Sequence, residues 1–304
     1  MAGLLDRITR AGRPPLHTLT APQARDAYAA GAEILDLPRA PLARVEDIVL
    51  PGGDGGERPA RLYAPSREAL PALLYLHGGG FVIGGLETHD SLCRQLALRS
   101  GCAVLALDYR LAPEHRFPAA VDDTWSALRA LVEHPGRWGL AATPPAIGGD
   151  SAGGTLAAVS ALHARDRGWP LALQLLVTPG TAAHADTVSH RLYANGFLLD
   201  AVTIEWFFAQ YIERERRGDW RFAPLEADDL EGVAPACFVL AECDPLVDEG
   251  IAYADRLRAA GVAVDFELYR GVTHDFIKMG RALKEAAVAQ AFAAAALARA
   301  WRAA

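Results

Sequence analysis

The sequence has little cysteine, and no cysteine is spaced for a metal site. The four thiols belong to Cys93, Cys102, Cys237 and Cys243. They form no CxxC or Cys/His pattern of the kind that binds zinc. Cys102 and Cys237 lie in apolar runs typical of strands, where a thiol serves as a small core residue. The sequence therefore indicates neither a metal nor a disulfide.

Basic charge and long apolar runs are scarce as well. The chain carries 30 Lys and Arg against 37 Asp and Glu, so we expect no nucleic-acid partner, because phosphate-binding surfaces usually bring a basic excess. The first 20 residues lack the apolar core and the cleavage site of a signal peptide. Residues 286–304 are rich in alanine but interrupted by polar side chains, which favours a docked helix over a membrane span. We expect a cytoplasmic protein without a membrane partner.

Apolar residues make up 51% of the sequence and occur in short runs. Residues 45–50 and 60–63 flank a glycine-rich turn and predict an antiparallel hairpin. Continuous apolar runs then alternate with helix-length segments, as parallel strands buried on both faces require. The predicted strands are 72–76, 102–107, 146–148, 171–177, 236–241 and 263–269, and the predicted helices are 90–100, 119–133, 152–167 and 249–260. With the hairpin, the pattern predicts an α/β fold with a mostly parallel, eight-stranded sheet flanked by helices.

Two segments stand apart from this alternation. Residues 1–43 contain helix-compatible stretches, such as 21–35, but no strand alternation. Residues 180–230 contain no clear buried strand. They carry an aromatic cluster at helical spacing, made of Trp206, Phe207, Phe208 and Tyr211. Such a cluster is most often ordinary core, but an insertion after a strand is also where an α/β enzyme places a lid.

The stretch Gly149-Asp150-Ser151-Ala152-Gly153 places a serine between two glycines, after an apolar run and before a helical one. A serine at such a strand-to-helix turn adopts strained backbone angles, and the flanking glycines let neighbouring backbone approach. Its hydroxyl then lies near a helix N-terminus, which favours a developing negative charge. The pentapeptide fits a simple Gly-Ser turn equally well, so other residues must decide whether this serine is a nucleophile.

Acyl transfer by a serine also needs backbone donors for an oxyanion. The stretch His77-Gly78-Gly79-Gly80-Phe81 directly follows the predicted strand 72–76. Three consecutive glycines leave their N–H groups unshielded, so these groups can point at one oxygen. A flexible turn is the alternative interpretation, but the position after a buried strand favours an oxyanion loop.

The carboxylate that orients a catalytic base has more than one candidate. Asp244 directly follows a predicted strand, and we favour it because Pro245 would fix the turn behind it. Glu242 competes from the end of the same strand. Asp248 and Glu249 lie at the start of the next helix, where acids commonly cap or compensate the helix N-terminus.

His274 is the candidate base, because it follows the last predicted strand. Six of the nine histidines lie in helical, loop or insertion contexts without a strand end before them, namely His17, His89, His134, His163, His184 and His190. A lone histidine is usually structural or exposed. His274 departs from that rule because it completes the chain order serine, aspartate, histidine that is typical of α/β-hydrolases.

Together these motifs resemble the hormone-sensitive-lipase-like family of α/β-hydrolases, bacterial carboxylesterases with an HGGG motif and a GDSAG elbow. The resemblance covers nearly the whole chain and rests on residues 77–81, 108–115, 149–154, 244–250 and the segment around 274. Thr155 stands where the family frequently carries Asn, and Asp275 stands where Gly is common. We expect Asp275 either to shift the basicity of its neighbour or simply to face solvent.

The resemblance implies that Ser151 is the nucleophile, that His274 is the general base and then the acid, and that Asp244 is the orienting carboxylate. No metal or organic cofactor is implied. The implied oxyanion donors are Gly78, Gly79 and Ala152, with Gly80 as a possible substitute for one glycine. Residues 108–115 are then structural, and His115 has no chemical role.

The resemblance also implies a division of the chain. Residues 44–179 and 231–304 would form the catalytic domain, under a helical cap made of residues 1–43 and 180–230, with Trp206, Phe207 and Tyr211 as pocket residues. The implied function is a serine carboxylesterase for short- to medium-chain esters that works through an acyl-enzyme. A serine hydrolase or acyltransferase for amides, carbamates or other acyl compounds, and a non-catalytic ligand receptor, are alternatives. A homodimer through strand 263–269 and the terminal helix is a further expectation.

Overall fold

The sheet is built from short strands whose apolar residues are continuous in its centre. The computed structural model describes residues 1–302. Its strands are β1 (Arg44–Pro51), β2 (Glu57–Ala64), β3 (Ala72–Leu76), β4 (Ala103–Leu107), β5 (Ala146–Asp150), β6 (Gln174–Val177), β7 (Ala236–Cys243) and β8 (Val264–Thr273). They form one sheet in the order β1-β2-β4-β3-β5-β6-β7-β8. Only the pairs β1–β2 and β2–β4 are antiparallel, so the predicted eight-stranded, mostly parallel sheet is confirmed.

The central strands have uninterrupted apolar sequences because both of their faces are buried. Every residue of β3, β4, β5 and β6 is buried, because helices cover both faces of a parallel sheet. β8 lies at an edge, and its first residues alternate between exposed and partly buried positions. The predicted strand 171–177 is shorter at its start than expected, because pairing with β5 begins only at Gln174.

Helices connect and flank the strands of the sheet. They are α1 (Ala2–Arg10), α2 (Ala21–Ala29), α3 (Leu86–Ser100), α4 (Ala119–Glu133), α5 (Ala152–Arg167), α6 (Val188–Leu192), α7 (Ala201–Tyr211), α8 (Val247–Ala259) and α9 (Lys284–Ala300). Apolar residues of α3 and α9 share one core, and those of α4, α5 and α8 share the other. None of the helices in residues 1–302 combines the length and the apolar composition that crossing a bilayer requires.

Two helices, α4 and α5, begin and end at the residues that the sequence predicts. In the first segment, α2 ends at Ala29, before the predicted end at 35. The terminal helix ends at Ala300, and residues 303–304 of the predicted terminal helix and catalytic domain lie outside the described residues.

Helix α5 approaches strand β3 more closely than any side chain would allow. A Cβ atom on Gly153 would overlap the carbonyl oxygen of Leu76, and a Cβ atom on Gly149 would overlap the same oxygen. Both contacts involve backbone, which cannot move away as a flexible side chain can. The two glycines are therefore required by packing.

We expect Gly153→Ala to lower the free energy of unfolding by about 1–3 kcal/mol, because the added methyl group forces backbone apart. Chemical denaturation measures the change. Gly136→Ala is the matched control, because its Cβ would meet no atom within 4 Å, and we expect a change within about 1 kcal/mol. Equal effects at the two positions would contradict the packing argument.

Candidate active site

Ser151 lies at the turn between β5 and α5 in a strained conformation. Its φ is 53° and its ψ is −120°, a region that costs a residue other than glycine about 1–3 kcal/mol. Its backbone N–H donates to the carbonyl oxygen of Val177 at 2.8 Å, which holds the turn in place. The side chain lies on the wall of a cavity of about 240 Å³. This geometry favours the nucleophile elbow over an ordinary Gly-Ser turn.

His274 and Asp244 form a buried pair, and His274 lies on the wall of the same cavity. Nδ1 of His274 donates to Oδ2 of Asp244 at 2.7 Å, and the other carboxylate oxygen accepts the N–H of Leu246 at 3.0 Å. The competing Glu242 instead accepts the N–H of Gly271 at 2.7 Å. The structure therefore brings His274 together with Asp244, the aspartate that the sequence favours, and not with the rival Glu242.

The charge of Asp244 changes the basicity of His274. Burial by itself lowers the pKa of His274, but the charge and the hydrogen bond of Asp244 outweigh it and raise the pKa to about 9. Asp275 and Asp150 add to the increase. An imidazolium at this position is therefore stabilised, as a group that accepts a proton during a reaction requires.

In the loop after β3, the carbonyl oxygens of Gly78 and Gly79 both accept hydrogen bonds. Nδ1 of His77 lies 2.8 Å from the carbonyl oxygen of Gly78 and must donate to it. The carbonyl oxygen of Gly79 accepts the N–H groups of Val82 and Ile83, both at 3.0 Å. Because a trans peptide points its N–H away from its C=O, the N–H groups that follow these carbonyls point to the opposite side of the loop.

The residues at the cavity differ from the expected oxyanion set in one glycine. Gly79, Gly80 and Ala152 line the cavity, but Gly78 does not. A Cβ atom on Gly78 would overlap the carboxylate of Asp150, so Gly78 packs beneath the loop. The cavity lining therefore favours a set in which Gly80, the expected substitute, takes the place of Gly78 beside Gly79 and Ala152, and the oxyanion donors stay a prediction.

Residues 108–115 support this loop from behind. The hydroxyl of Tyr109 donates to the carbonyl oxygen of His77 at 2.7 Å, and the two rings stack with centroids 4.3 Å apart. Burial lowers the pKa of His77 to about 3, so its ring is neutral. Arg110 binds Asp123 at 2.8 Å. His115 is exposed, as expected for a residue without a chemical role.

The cavity wall is largely apolar, and nine of its lining residues come from the two segments outside the regular sheet. Leu16 and Tyr28 belong to the first segment. The insertion supplies seven further residues, namely Gly180, Leu198, Leu199, Thr203, Ile204, Phe207 and Phe208. An apolar group of a bound ligand therefore fits the space beside Ser151.

The predicted pocket aromatics divide into two groups. Phe207 lines the cavity, where its ring lies against Gly80 so closely that a Cβ there would overlap it. Trp206 and Tyr211 do not line the cavity, so the prediction is wrong for these two. Tyr211 is 1% exposed and stacks on Phe81 with ring centroids 4.0 Å apart, which makes it part of the core beneath the oxyanion loop.

Comparison with known proteins agrees with this geometry. A family model described as the α/β-hydrolase fold matches residues 73–278. The chain belongs to the α/β-hydrolase family. The ethyl acetate hydrolase of Pseudomonas putida is 42% identical in an alignment over 292 residues that covers 92% of either chain. A carboxylesterase of Mycobacterium tuberculosis is 40% identical over 86% of this chain and 84% of the relative.

Solved structures give the same result. A hyperthermophilic esterase from the archaeon Pyrobaculum calidifontis superposes with a TM-score of 0.92 at 38% identity, over 98% of this chain and 96% of the other. An ester hydrolase from the metagenome of Lake Arreo gives a TM-score of 0.94 at 40% identity, over 99% and 96% of the two chains. The resemblance to hormone-sensitive-lipase-like carboxylesterases is thereby confirmed.

Both departures of this α/β-hydrolase from its family pattern lie at the cavity. Thr155 donates its hydroxyl to the carbonyl oxygen of Gly180 at 2.6 Å and so holds the cavity wall. Asp275 has a φ of 61°, a left-handed conformation that explains why glycine is common there and that aspartate tolerates better than most residues. The charge of Asp275 raises the pKa of His274, but this effect is smaller than the effect of the Asp244 charge.

A buried polar chain beneath the elbow of this α/β-hydrolase is not visible in the sequence. Lys278 donates to the hydroxyl of Tyr28 at 2.7 Å, and its Nζ lies 3.4 Å from Nε2 of His89. That nitrogen lies 3.1 Å from Oδ2 of Asp150, whose other oxygen accepts the hydroxyl of Tyr75 at 2.6 Å. Burial raises the pKa of Asp150, but His89 and Lys278 outweigh it and hold the pKa well below its usual range. The only sequence signal is that Lys278 is one of two lysines.

Metal ligands and paired thiols are absent from the described part of this α/β-hydrolase. Residues 1–302 contain no group of three or more His, Cys, Asp or Glu side chains that could hold a metal ion. All four cysteines are free.

We expect Asp244→Asn to lower the pKa of His274 from about 9 toward its ordinary value of 6.5, because burial is then no longer opposed by the neighbouring charge. NMR titration of the imidazole measures this directly. Glu242→Gln is the matched control, because an amide oxygen can still accept the N–H of Gly271, and we expect the pKa to stay near that of the unmodified protein. A shift in the control alone would make Glu242 the orienting carboxylate.

Proposed function

We propose that this chain is a serine carboxylesterase with Ser151, His274 and Asp244 as its catalytic residues. The observation that carries the proposal is that a strained serine and a histidine bound to a buried aspartate lie on the wall of one cavity. The names of the relatives support the reaction, since they are an ethyl acetate hydrolase and a carboxylesterase.

The first half of the reaction forms an acyl-enzyme. Oγ of Ser151 attacks the ester carbonyl carbon while Nε2 of His274 accepts the hydroxyl proton. The N–H groups of Gly79, Gly80 and Ala152, the last at the N-terminus of α5, stabilise the oxyanion of the tetrahedral intermediate. The intermediate then expels the alcohol, which leaves with the proton from His274.

The second half repeats these steps with water as the nucleophile. His274 takes a proton from the water as it attacks the acyl carbon, and returns the proton to Ser151 as the acid is released. His274 must be neutral to act as a base, and its pKa is raised to about 9. The value of kcat/KM therefore increases with pH through this range and is lost as His274 becomes protonated below it.

The cavity supports esters with short to medium acyl chains as substrates. Its volume is about 240 Å³ and its wall is largely apolar, so a long lipid chain would have to extend beyond it. We further propose that residues 1–43 and 180–230 act as the cap, because both supply side chains to the wall. A homodimer through β8 and α9 and a cytoplasmic location stay predictions.

The alternatives differ in what the serine does. A non-catalytic receptor does not need the serine, the base and the carboxylate, and the chain has all three. An amidase or acyltransferase uses the same residues, but no contact in the described residues favours an amine or an alcohol over water as acceptor. Ester hydrolysis is therefore the function that the geometry supports best.

We expect hydrolysis of p-nitrophenyl esters from acetate to palmitate to be fastest at short chains. Ser151→Ala should reduce kcat by about 10⁶-fold, as loss of a catalytic serine typically does. Ser160→Ala on the same helix is the matched control, because its buried hydroxyl has no hydrogen-bond partner among residues 1–302, and the activity of this variant should be unchanged. Activity retained in Ser151→Ala would identify another nucleophile.

We expect Phe207→Ala to move the preference toward longer acyl chains, because removing the ring enlarges the apolar cavity beside Gly80. The ratio of kcat/KM for octanoate to that for acetate should increase roughly tenfold, since burying two more methylene groups contributes about 1.6 kcal/mol. Trp206→Ala truncates a neighbouring ring that does not line the cavity, so its ratio should not change. Equal shifts in both variants would mean that the aromatic side chains only support the fold of the insertion.

A further inference from the structure

Glu249 binds the start of the insertion to helix α8, although the proposed mechanism does not use it. Its side chain is 3% exposed. Oε1 accepts the backbone N–H groups of Thr181 and, at 3.2 Å, Ala182. The hydroxyl of Thr181 donates to the carbonyl oxygen of Glu249 at 2.9 Å. The sequence predicts an acid at a helix start here, but the side chain points inward and holds residues next to the cavity wall at Gly180.

The second carboxyl oxygen of Glu249 faces a histidine of helix α6. Nε2 of His190 lies 3.3 Å from Oε2 of Glu249, and both side chains are buried. Nδ1 of His190 lies 2.7 Å from Oγ1 of Thr187, which lies 2.9 Å from Oγ of Ser189. The hydroxyl of Ser189 donates to the carbonyl oxygen of Pro245 at 2.6 Å. A continuous chain of contacts therefore runs from α8 through the insertion to the residue that follows the catalytic acid.

This chain of hydrogen bonds ends on a carbonyl oxygen, and that end determines which atom of each pair donates the proton. A carbonyl oxygen can only accept, so the proton of Ser189 points to Pro245. Oγ of Ser189 then accepts the hydroxyl of Thr187, and Oγ1 of Thr187 accepts the proton of Nδ1 of His190. In a neutral ring Nε2 is then an acceptor, so Glu249 must be the donor, through a protonated Oε2.

Burial favours this neutral arrangement over an ion pair. Burial raises the pKa of Glu249 to about 8, against its backbone hydrogen bonds, and the charges of Asp244 and Asp186 add to the increase. Burial also lowers the pKa of His190, although Asp244, Asp186 and Asp248 oppose it. Asp244 and Asp186 therefore act on both members of the pair, and at neutral pH the carboxyl group of Glu249 keeps its proton.

We propose that Glu249 and His190 are positioning residues for Asp244, acting through the chain that ends on Pro245. This inference rests on the proposed ester hydrolysis. Asp244 contacts the backbone N–H of Leu246 with one oxygen and His274 with the other, at 3.0 and 2.7 Å. The carbonyl of Pro245 and the N–H of Leu246 belong to one planar peptide group, so release of this carbonyl moves the Leu246 anchor of the carboxylate.

Two substitutions at one position test the proposal, Glu249→Gln and Glu249→Leu. The glutamine amide can accept the N–H groups of Thr181 and Ala182 and donate to Nε2 of His190, so kcat and the pH profile should stay close to those of the unmodified enzyme. Leucine can do neither, so kcat should fall roughly 10- to 100-fold, with a smaller change in KM. The acid limb of kcat/KM should move to lower pH, because a displaced Asp244 no longer raises the pKa of His274.

Asp255→Asn on the same helix is the control, because Asp255 is exposed and pairs only with Arg258. A folded Glu249→Leu protein with unchanged kcat and an unchanged acid limb would overturn the positioning role. A Glu249→Gln protein as impaired as Glu249→Leu would overturn the neutral chain in favour of an ion pair. Ser189→Ala removes only the last link and should reduce kcat roughly 3- to 10-fold, which tests the chain even where Glu249→Leu does not fold.

NMR titration of His274 in the same variants separates this inference from the proposed function. The pKa of His274 should fall in Glu249→Leu and stay unchanged in Glu249→Gln, whether or not any ester is hydrolysed. An unmodified protein that hydrolyses no ester would end the proposed function, while an unchanged His274 pKa in Glu249→Leu would end the positioning role.

Discussion

Helix α5 and strand β3 meet backbone to backbone at Gly153, and the other parts of the site are arranged around that contact. The close approach lets the chain turn sharply from β5 into α5 and leaves Ser151 at a positive φ on the cavity wall. β3 lies beside β5 in the sheet and continues directly into the glycine loop, so the proposed nucleophile and the proposed oxyanion donors come from neighbouring strands. β7 and β8 then bring Asp244 and His274 to the same edge, because parallel α/β sheets gather their sites at the carboxyl ends of their strands.

The buried carboxyl groups around this edge show how the same side chain is adapted to different tasks. Asp150 faces His89 and stays ionised beneath the elbow. Glu249 faces His190, and burial raises its pKa to about 8, so that it keeps a proton at neutral pH. Asp244 binds His274 and makes that imidazole a stronger base. A buried charge without a partner costs several kcal/mol, so each group depends on neighbours that come from distant parts of the chain.

The sequence predicts the sheet well, and it names three candidate reacting residues that the structure places at one edge of that sheet, because both follow from local patterns. A continuous apolar run marks a buried strand, and a reactive side chain just after it marks the edge where such strands end. Prediction fails where a role depends on which side of a loop or helix meets the cavity. Gly78 and Tyr211 both turn away from it, and Glu249 turns inward from a helix start. No periodicity links Tyr28 to Lys278, because their contact exists only in the assembled fold.

The contact between Tyr28 and Lys278 joins residues 250 positions apart, and this separation has a consequence for biosynthesis. Ribosomes add about 5–20 residues per second, so Lys278 emerges about 12–50 s after Tyr28. Arg25 of the same helix binds the carbonyl oxygens of Val82 and Ala112, which appear much earlier. A nascent chain can therefore hold α2 against the oxyanion loop while the imidazole has not yet been translated. His274 directly follows the last strand, so the proposed base is translated only after all the other strands of the sheet.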